Sequence, residues 1–163
     1  MKKQLTVARA VEAAGILFEL NSGKPGVLAM AERAGLPHTS PAEEKKLLRE
    51  WYAFVHAAVL YGLMVQAPNI VVVEYLRATQ DLLAGLGFTP DEATAFVDDA
   101  FRAYVDPLVR TRTEECPGVF FHRLSGKDVS EVPARQLAVV SGVMAMILAA
   151  VLDKLEQYEF MTQ

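Results

Sequence analysis

The residues of this chain that could carry chemistry are few, and they do not gather into a known reactive pattern. His56 lies in a long apolar stretch, with Tyr52 one helical turn before it. An imidazole in that position can act as a pocket base or ligand contact; the alternative is a core histidine hydrogen-bonded to a neighbour. Glu74 follows Ile70-Val71-Val72-Val73. Buried beside His56 or Tyr61, its carboxyl would have a raised pKa and mark a site; turned to solvent, it would pair with Arg77 or Arg110. Tyr52, His56, Tyr61 and Glu74 are therefore the candidate ligand-binding residues.

Cys116 and His122 share a segment with Phe120, Phe121 and Arg123. A thiol activated by an imidazole is a workable nucleophile. No third group is identifiable here, and a spacing of six residues does not establish contact. Two ligands are too few for zinc, and neither C-x-x-C nor H-E-x-x-H occurs. Phe120-Phe121 reads as an apolar plug tucking a loop onto the rest of the chain. Asp98 and Asp99 are adjacent, so on a helix they point about 100° apart and do not converge on one ion. No Glu-x-x-His pair suggests a di-iron bundle, and no G-x-x-x-x-G-K-[ST] loop is present. No catalytic residue, metal or cofactor is assigned. The residues leave enzymatic activity undecided and favour a non-catalytic role.

The segment Val27-Leu28-Ala29-Met30-Ala31-Glu32-Arg33-Ala34-Gly35-Leu36-Pro37 resembles the positioning helix and turn of a helix-turn-helix. That resemblance implies a transcription regulator with Pro41 to Arg49 as the recognition helix. Pro41 stands where an apolar packing residue is wanted, and Glu43 and Glu44 would face phosphates. Recognition helices offer Arg, Lys, Asn or Gln to base edges.

Helical periodicity must position these groups, because no convincing alternating strand is visible. The first helix spans about 5–20, stopped by Asn21-Ser22-Gly23, and a short helix over about 27–34 follows, ended by Gly35 and Pro37. The second long helix, 41–66, has a full start signal: Ser40 as cap, Pro41 in the first turn and Glu43 completing a capping box. It is charged up to Glu50 and apolar all round from Trp51 to Val65, so it should be buried on every side. A third helix covers about 69–83. A fourth covers about 90–112, with a second capping box at Thr89 to Glu92. Asp98, Arg102, Asp106 and Arg110 align opposite charges along its edge, although Pro107 should kink it and disturb the last pair. Residues 116–130 read as a loop. The last helix covers about 133–160, charge-free from Gln136 to Leu152.

The expected fold is all-α: one domain, residues 1–163, built as a bundle or orthogonal array of five main helices plus a short one. The apolar content of 52% is high for one small soluble domain. The excess implies a subunit interface, a ligand cavity or a membrane. Trp51 to Val73 is free of charge for 23 residues, but Pro68-Asn69 breaks it, and Gln136 to Leu152 is 17 residues long. Both stretches sit at the lower edge of spanning length. The remaining helices are amphipathic, so the reading is buried soluble helices. Small residues at Ala57, Ala58, Gly62, Gly142, Ala145, Ala149 and Ala150 would let the two apolar helices pack closely against each other.

The net charge of −4 argues against nucleic acid as a partner. The first fifty residues carry eight Lys and Arg against six Asp and Glu, a mild asymmetry. Met1-Lys2-Lys3 opens like a signal peptide, but Arg9 and Glu12 interrupt the apolar run, which reads as an ordinary amphipathic helix. One cysteine forms no intrachain disulfide and fits a reducing cytoplasm. The functional expectation is a non-catalytic binding or scaffolding protein forming a homodimer or higher homo-oligomer. The alternatives are a sensor or carrier of a hydrophobic small molecule, held between the second, third and last helices, and the DNA-binding regulator above.

Overall fold

The computed structural model describes residues 1–162, and the fold is all-α with one minimal sheet. A strand β1 (Lys3–Leu5) leads into α1 (Val7–Ser22), α2 (Lys24–Ala34) and the long α3 (Pro41–Gln66). Then come α4 (Asn69–Arg77), α5 (Thr79–Gly85), α6 (Pro90–Ala95), a π-helical turn over Phe96–Phe101, and α7 (Arg102–Val109). The chain closes with α8 (Cys116–Ser125), α9 (Ala134–Glu156) and β2 (Tyr158–Phe160).

Local chemistry sets most of these boundaries. Ser40 and Thr89 each accept a hydrogen bond from the amide three residues on, while Glu43 and Glu92 reach back to the cap amides. Gly35 and Gly126 take left-handed backbone at the ends of α2 and α8. Pro25 sits in the first turn of α2, so that helix starts three residues earlier than expected.

Several expectations are corrected, and the third helix, expected to be continuous over 69–83, is broken at Ala78 into α4 and α5. Residues 116–125 are helical, not a loop. Pro117, Phe120, Phe121 and Leu124 repeat at helical spacing, and Pro117 lies in the first turn, where proline is tolerated. The last helix ends at Glu156, because Tyr158 to Phe160 pair in parallel with β1, in the register Lys3 to Tyr158. Strands of three residues are too short to show alternation in a sequence. The fourth helix ends at Val109. The amides of Thr111 and Arg112 turn back to the carbonyls of Leu108 and Pro107, with Thr111 at φ 59°. Within that helix the π turn disturbs the charge ladder. Arg110 and Asp106 meet at 3.3 Å, the pair that Pro107 was expected to disturb, while Asp99 reaches across to Arg123.

α3 is the axis of the fold. From Trp51 to Leu63 its residues are buried almost without a break, covered by α1, α4, the π turn with α7, α8 and α9, whereas Met64 and Val65, expected to be buried with them, are exposed in its last turn. At Gly62 it comes close against α9. A Cβ there would lie 2.7 Å from Val151 Cγ1 and 2.9 Å from Leu155 Cδ1. Gly15, in the interior of α1, has open space at the same position.

These two glycines make opposite predictions. Gly62→Val should destabilise the fold by about 1–3 kcal/mol through overpacking against Val151. Gly15→Ala should stabilise it by about 0.5–1 kcal/mol, because alanine forms helix more readily. Urea titration followed by circular dichroism checks both; equal shifts in the same direction would show that the α3–α9 seam is looser than these distances imply.

Candidate functional site

The sequence candidates divide between the core and the surface. His56 is fully buried on α3. Its Nδ1 lies 2.8 Å from the Tyr75 hydroxyl and its Nε2 lies 3.0 Å from Thr79 Oγ1. Thr79 Oγ1 in turn donates to the Tyr75 carbonyl at 3.4 Å. The donors are all used when Tyr75 donates to Nδ1 and Nε2–H donates to Thr79. The rings of Phe101 and Tyr75 stand 4.7 Å and 4.9 Å from the imidazole. Phe96 and Phe101 are five residues apart, one turn of the π segment, and both face His56. Both ring nitrogens are thus occupied by the protein, and burial pushes the His56 pKa down to about 3.

Tyr52 is half-buried, tilted against Phe18 at 6.0 Å, and burial raises its pKa. Tyr61 is partly buried against the core. Glu74 pairs with Arg77 at 2.8 Å and lines an open groove of about 960 Å³ between α1 and α4, with Val7, Val11 and Ile70. Tyr75, not Tyr61 or Glu74, is the group that meets His56. The structure therefore does not bring the four candidates to one place.

Cys116 and His122 are also apart: the thiol is buried and the imidazole is exposed on the other side of α8. Burial, with Glu115 and Glu114 adding to it, pushes the Cys116 pKa up to about 12, far from a reactive thiolate. Arg49, in the segment that the helix-turn-helix resemblance would make the recognition helix, bonds Glu92 at 2.6 Å and lies over the Phe88 ring at 4.1 Å. Glu44 pairs with Lys24 at 2.6 Å.

A polar network that the sequence did not suggest is built around Glu50, which is buried at the point where α3 turns apolar. Tyr104 donates to its carboxylate at 2.5 Å, and Arg123 Nε lies 3.1 Å from both of its oxygens. The guanidinium then bonds Asp99 at 3.0 Å and 3.3 Å. Burial raises the Glu50 pKa, partly offset by Tyr104 and Arg123. The partners are 54 and 73 residues away in the chain, so no local spacing could reveal them. Among the described residues, no buried side-chain polar atom lacks a partner, and no three His, Cys, Asp or Glu converge as metal ligands. The polar interior is saturated by the protein itself.

What remains open is a surface. α9 buries one face, through Val140, Met144, Ile147, Leu148, Val151 and Leu155. Only 22% of its most apolar stretch is buried, and among the described residues it is the one helix long and apolar enough to cross a membrane. Gly142, Ala145, Ala149 and Ala150 were expected to pack against α3. They lie instead on the exposed side, together with Ala138 and Met146, which is 71% exposed. Apart from its chain neighbours and the backbone of its own helix, no heavy atom comes within 4 Å of where a Gly142 Cβ would sit. On the neighbouring edge, Leu20 of α1 is 74% exposed, beside Val143 and Ile147. α3 and α9 look alike in sequence, but only α3 is enclosed. The difference is which neighbours the rest of the chain supplies.

Compared with family models, curated proteins and solved structures, the chain finds no match. The meaning of this surface therefore rests on its own residues.

The two polar clusters carry separate predictions. A base whose folded pKa is depressed loses stability as pH falls, because below about 6.5 the unfolded chain binds a proton that native His56 refuses down to about 3. Each pH unit in that window should cost up to about 1.4 kcal/mol. Glu50 works in the opposite sense: its raised pKa contributes stability at acid pH that fades as pH rises. Glu92, held down to about 2 chiefly by Arg49, adds acid loss only below its ordinary value of 4.5. The test compares unfolding free energies of wild type and His56→Gln from pH 6.5 to 5; parallel slopes would refute a neutral buried imidazole. For the second cluster, Arg123→Met should cost about 3 kcal/mol by stranding the Glu50 carboxylate. Asp99→Asn, at an exposed carboxylate, should cost less than about 1 kcal/mol. Adding Glu50→Gln to Arg123→Met should recover part of the loss in the same denaturation assay.

Proposed function

We propose that this protein is a non-catalytic helical scaffold that assembles with copies of itself through the uncovered apolar face of α9, in the cytoplasm. The single observation that carries the reading is that a 23-residue helix, charge-free through its middle, is packed on one side only. Contiguous exposed apolar surface on a soluble domain marks an interaction site. The saturated polar interior supports the non-catalytic part, since the buried histidine, carboxylate and thiol all have assigned structural partners or are sealed from solvent. The open groove at Glu74 supports a small-molecule carrier less well, because its one carboxylate is already paired with Arg77.

Light scattering on a size-exclusion column should give a mass of two or more chains for wild type at micromolar concentration. Ala145→Glu, which sets a charge in the middle of the uncovered face, should reduce the mass to that of one chain while leaving the helical circular dichroism unchanged. A wild-type monomer across that concentration range would refute the reading.

A further inference from the structure

We infer that the occupant of the α9 face is the α9 of a second copy, lying antiparallel about a two-fold axis near Val143 and Met144. This rests on the self-association proposed above and specifies its geometry. The first argument is the order of the small residues. Ala138, Gly142, Ala145 and Ala149 are spaced four, three and four, a sequence that reads the same from either end. On a helix these four positions fall within a strip about 60° wide. Turned end for end, Ala138 meets Ala149 of the second copy and Gly142 meets Ala145. Small side chains at each crossing let the two backbones approach closely. A two-fold interface requires such self-complementarity.

The second argument is independent of the first. Arg135 and Asp153 flank the strip, both exposed, and among the described residues neither is in an ion pair. They are 18 residues apart, five helical turns, so they lie on the same side of α9, about 27 Å from one another. Their midpoint is Met144, within half a residue of the midpoint of the small strip. In the antiparallel arrangement each Arg135 therefore comes opposite an Asp153, twice. A parallel pair would set Arg135 against Arg135 and Asp153 against Asp153, which is repulsive at both ends.

A lipid surface fits this face less well. Helices that lie in the membrane interface present large apolar and aromatic side chains below a basic polar face. The exposed side of α9 offers alanine and glycine with Met146 as its one large exposed apolar side chain, no aromatic ring, and Arg135 balanced by Asp153.

The arrangement is tested by charge reversal and by cross-linking. Arg135→Asp alone and Asp153→Arg alone should each weaken dimerisation about tenfold or more, since each replaces two attractive pairs by two repulsive ones. The double variant should return to within about threefold of wild type. Under mild oxidation, Ala138→Cys should not cross-link to itself, because its two copies lie about 16 Å apart. A mixture of Ala138→Cys and Ala149→Cys should give a covalent dimer. Native Cys116 is buried, and wild type is the control. Dimers that ignore both single reversals, or an Ala138→Cys chain that links to itself, would overturn the antiparallel pairing and leave self-association standing. A wild-type chain that stays monomeric, or one that floats with phosphatidylcholine–phosphatidylglycerol vesicles and loses that ability in Ala145→Glu, would overturn both.

Discussion

The enclosure of α3 is the constraint from which the rest of the fold follows. Between Trp51 and Leu63 this helix has no face that tolerates water, so protein must cover it on every side. A helix about 10 Å across can be ringed by up to about six others of the same width, and here α1, α4, α7, α8 and α9 take most of those places. Each covering helix then needs only one apolar stripe. That is why the outer helices read as amphipathic and α3 does not. The tight seam at Gly62 against Val151 and Leu155 depends on the absence of a single side chain.

Two polar groups interrupt this core six residues apart, and the fold handles them differently. His56 is kept neutral, with a hydroxyl on either side and aromatic rings around it. Glu50 is held by a tyrosine hydroxyl and by a guanidinium that also reaches solvent-side Asp99. A neutral imidazole can be sealed off, because two neutral hydrogen bonds satisfy it. A carboxylate needs a cation, and the cation needs an outlet to the surface. The π turn between α6 and α7 serves both. Its extra residue per turn aims Phe96 and Phe101 inward at His56 and leaves Asp99 on the outer side for Arg123.

The elements were legible where local rules dominate. The capping boxes at Ser40 and Thr89, the glycine stop at Gly35 and the apolar saturation of α3 all follow from neighbours within a few residues. The repeat of Pro117, Phe120, Phe121 and Leu124 marks α8 too, but Pro117, Gly118 and Gly126 in the same segment are loop-forming residues that compete with that signal. The π turn and the β1–β2 pairing lie beyond periodicity, since one is a single extra residue and the other is three residues joined across the whole chain. The candidate site suffered for the same reason. His56 was visible as an anomaly in an apolar run, but its partners, Tyr75 and Thr79, were fixed only by how α4 and α5 fold back. Glu50 looked like the last residue of a charged stretch. Its burial depends on Tyr104 and Arg123, which no local pattern connects to it.

The contrast between α3 and α9 shows what composition alone cannot decide. Both have charge-free midsections, and the sequence treats them as equals. Once α3 has taken the centre, however, the remaining chain is used up in covering it, and nothing is left for the far side of α9. The residues on that far side fit this position. Had Ala138, Gly142, Ala145 and Ala149 been leucines, a free monomer would expose far more apolar area, at about 25 cal/mol for each Å². Small side chains keep that cost low while a chain is alone, and they still let two backbones come close when another helix arrives. Ala57, Ala58 and Gly62 serve close packing of the same kind inside the core, on the buried side of α3.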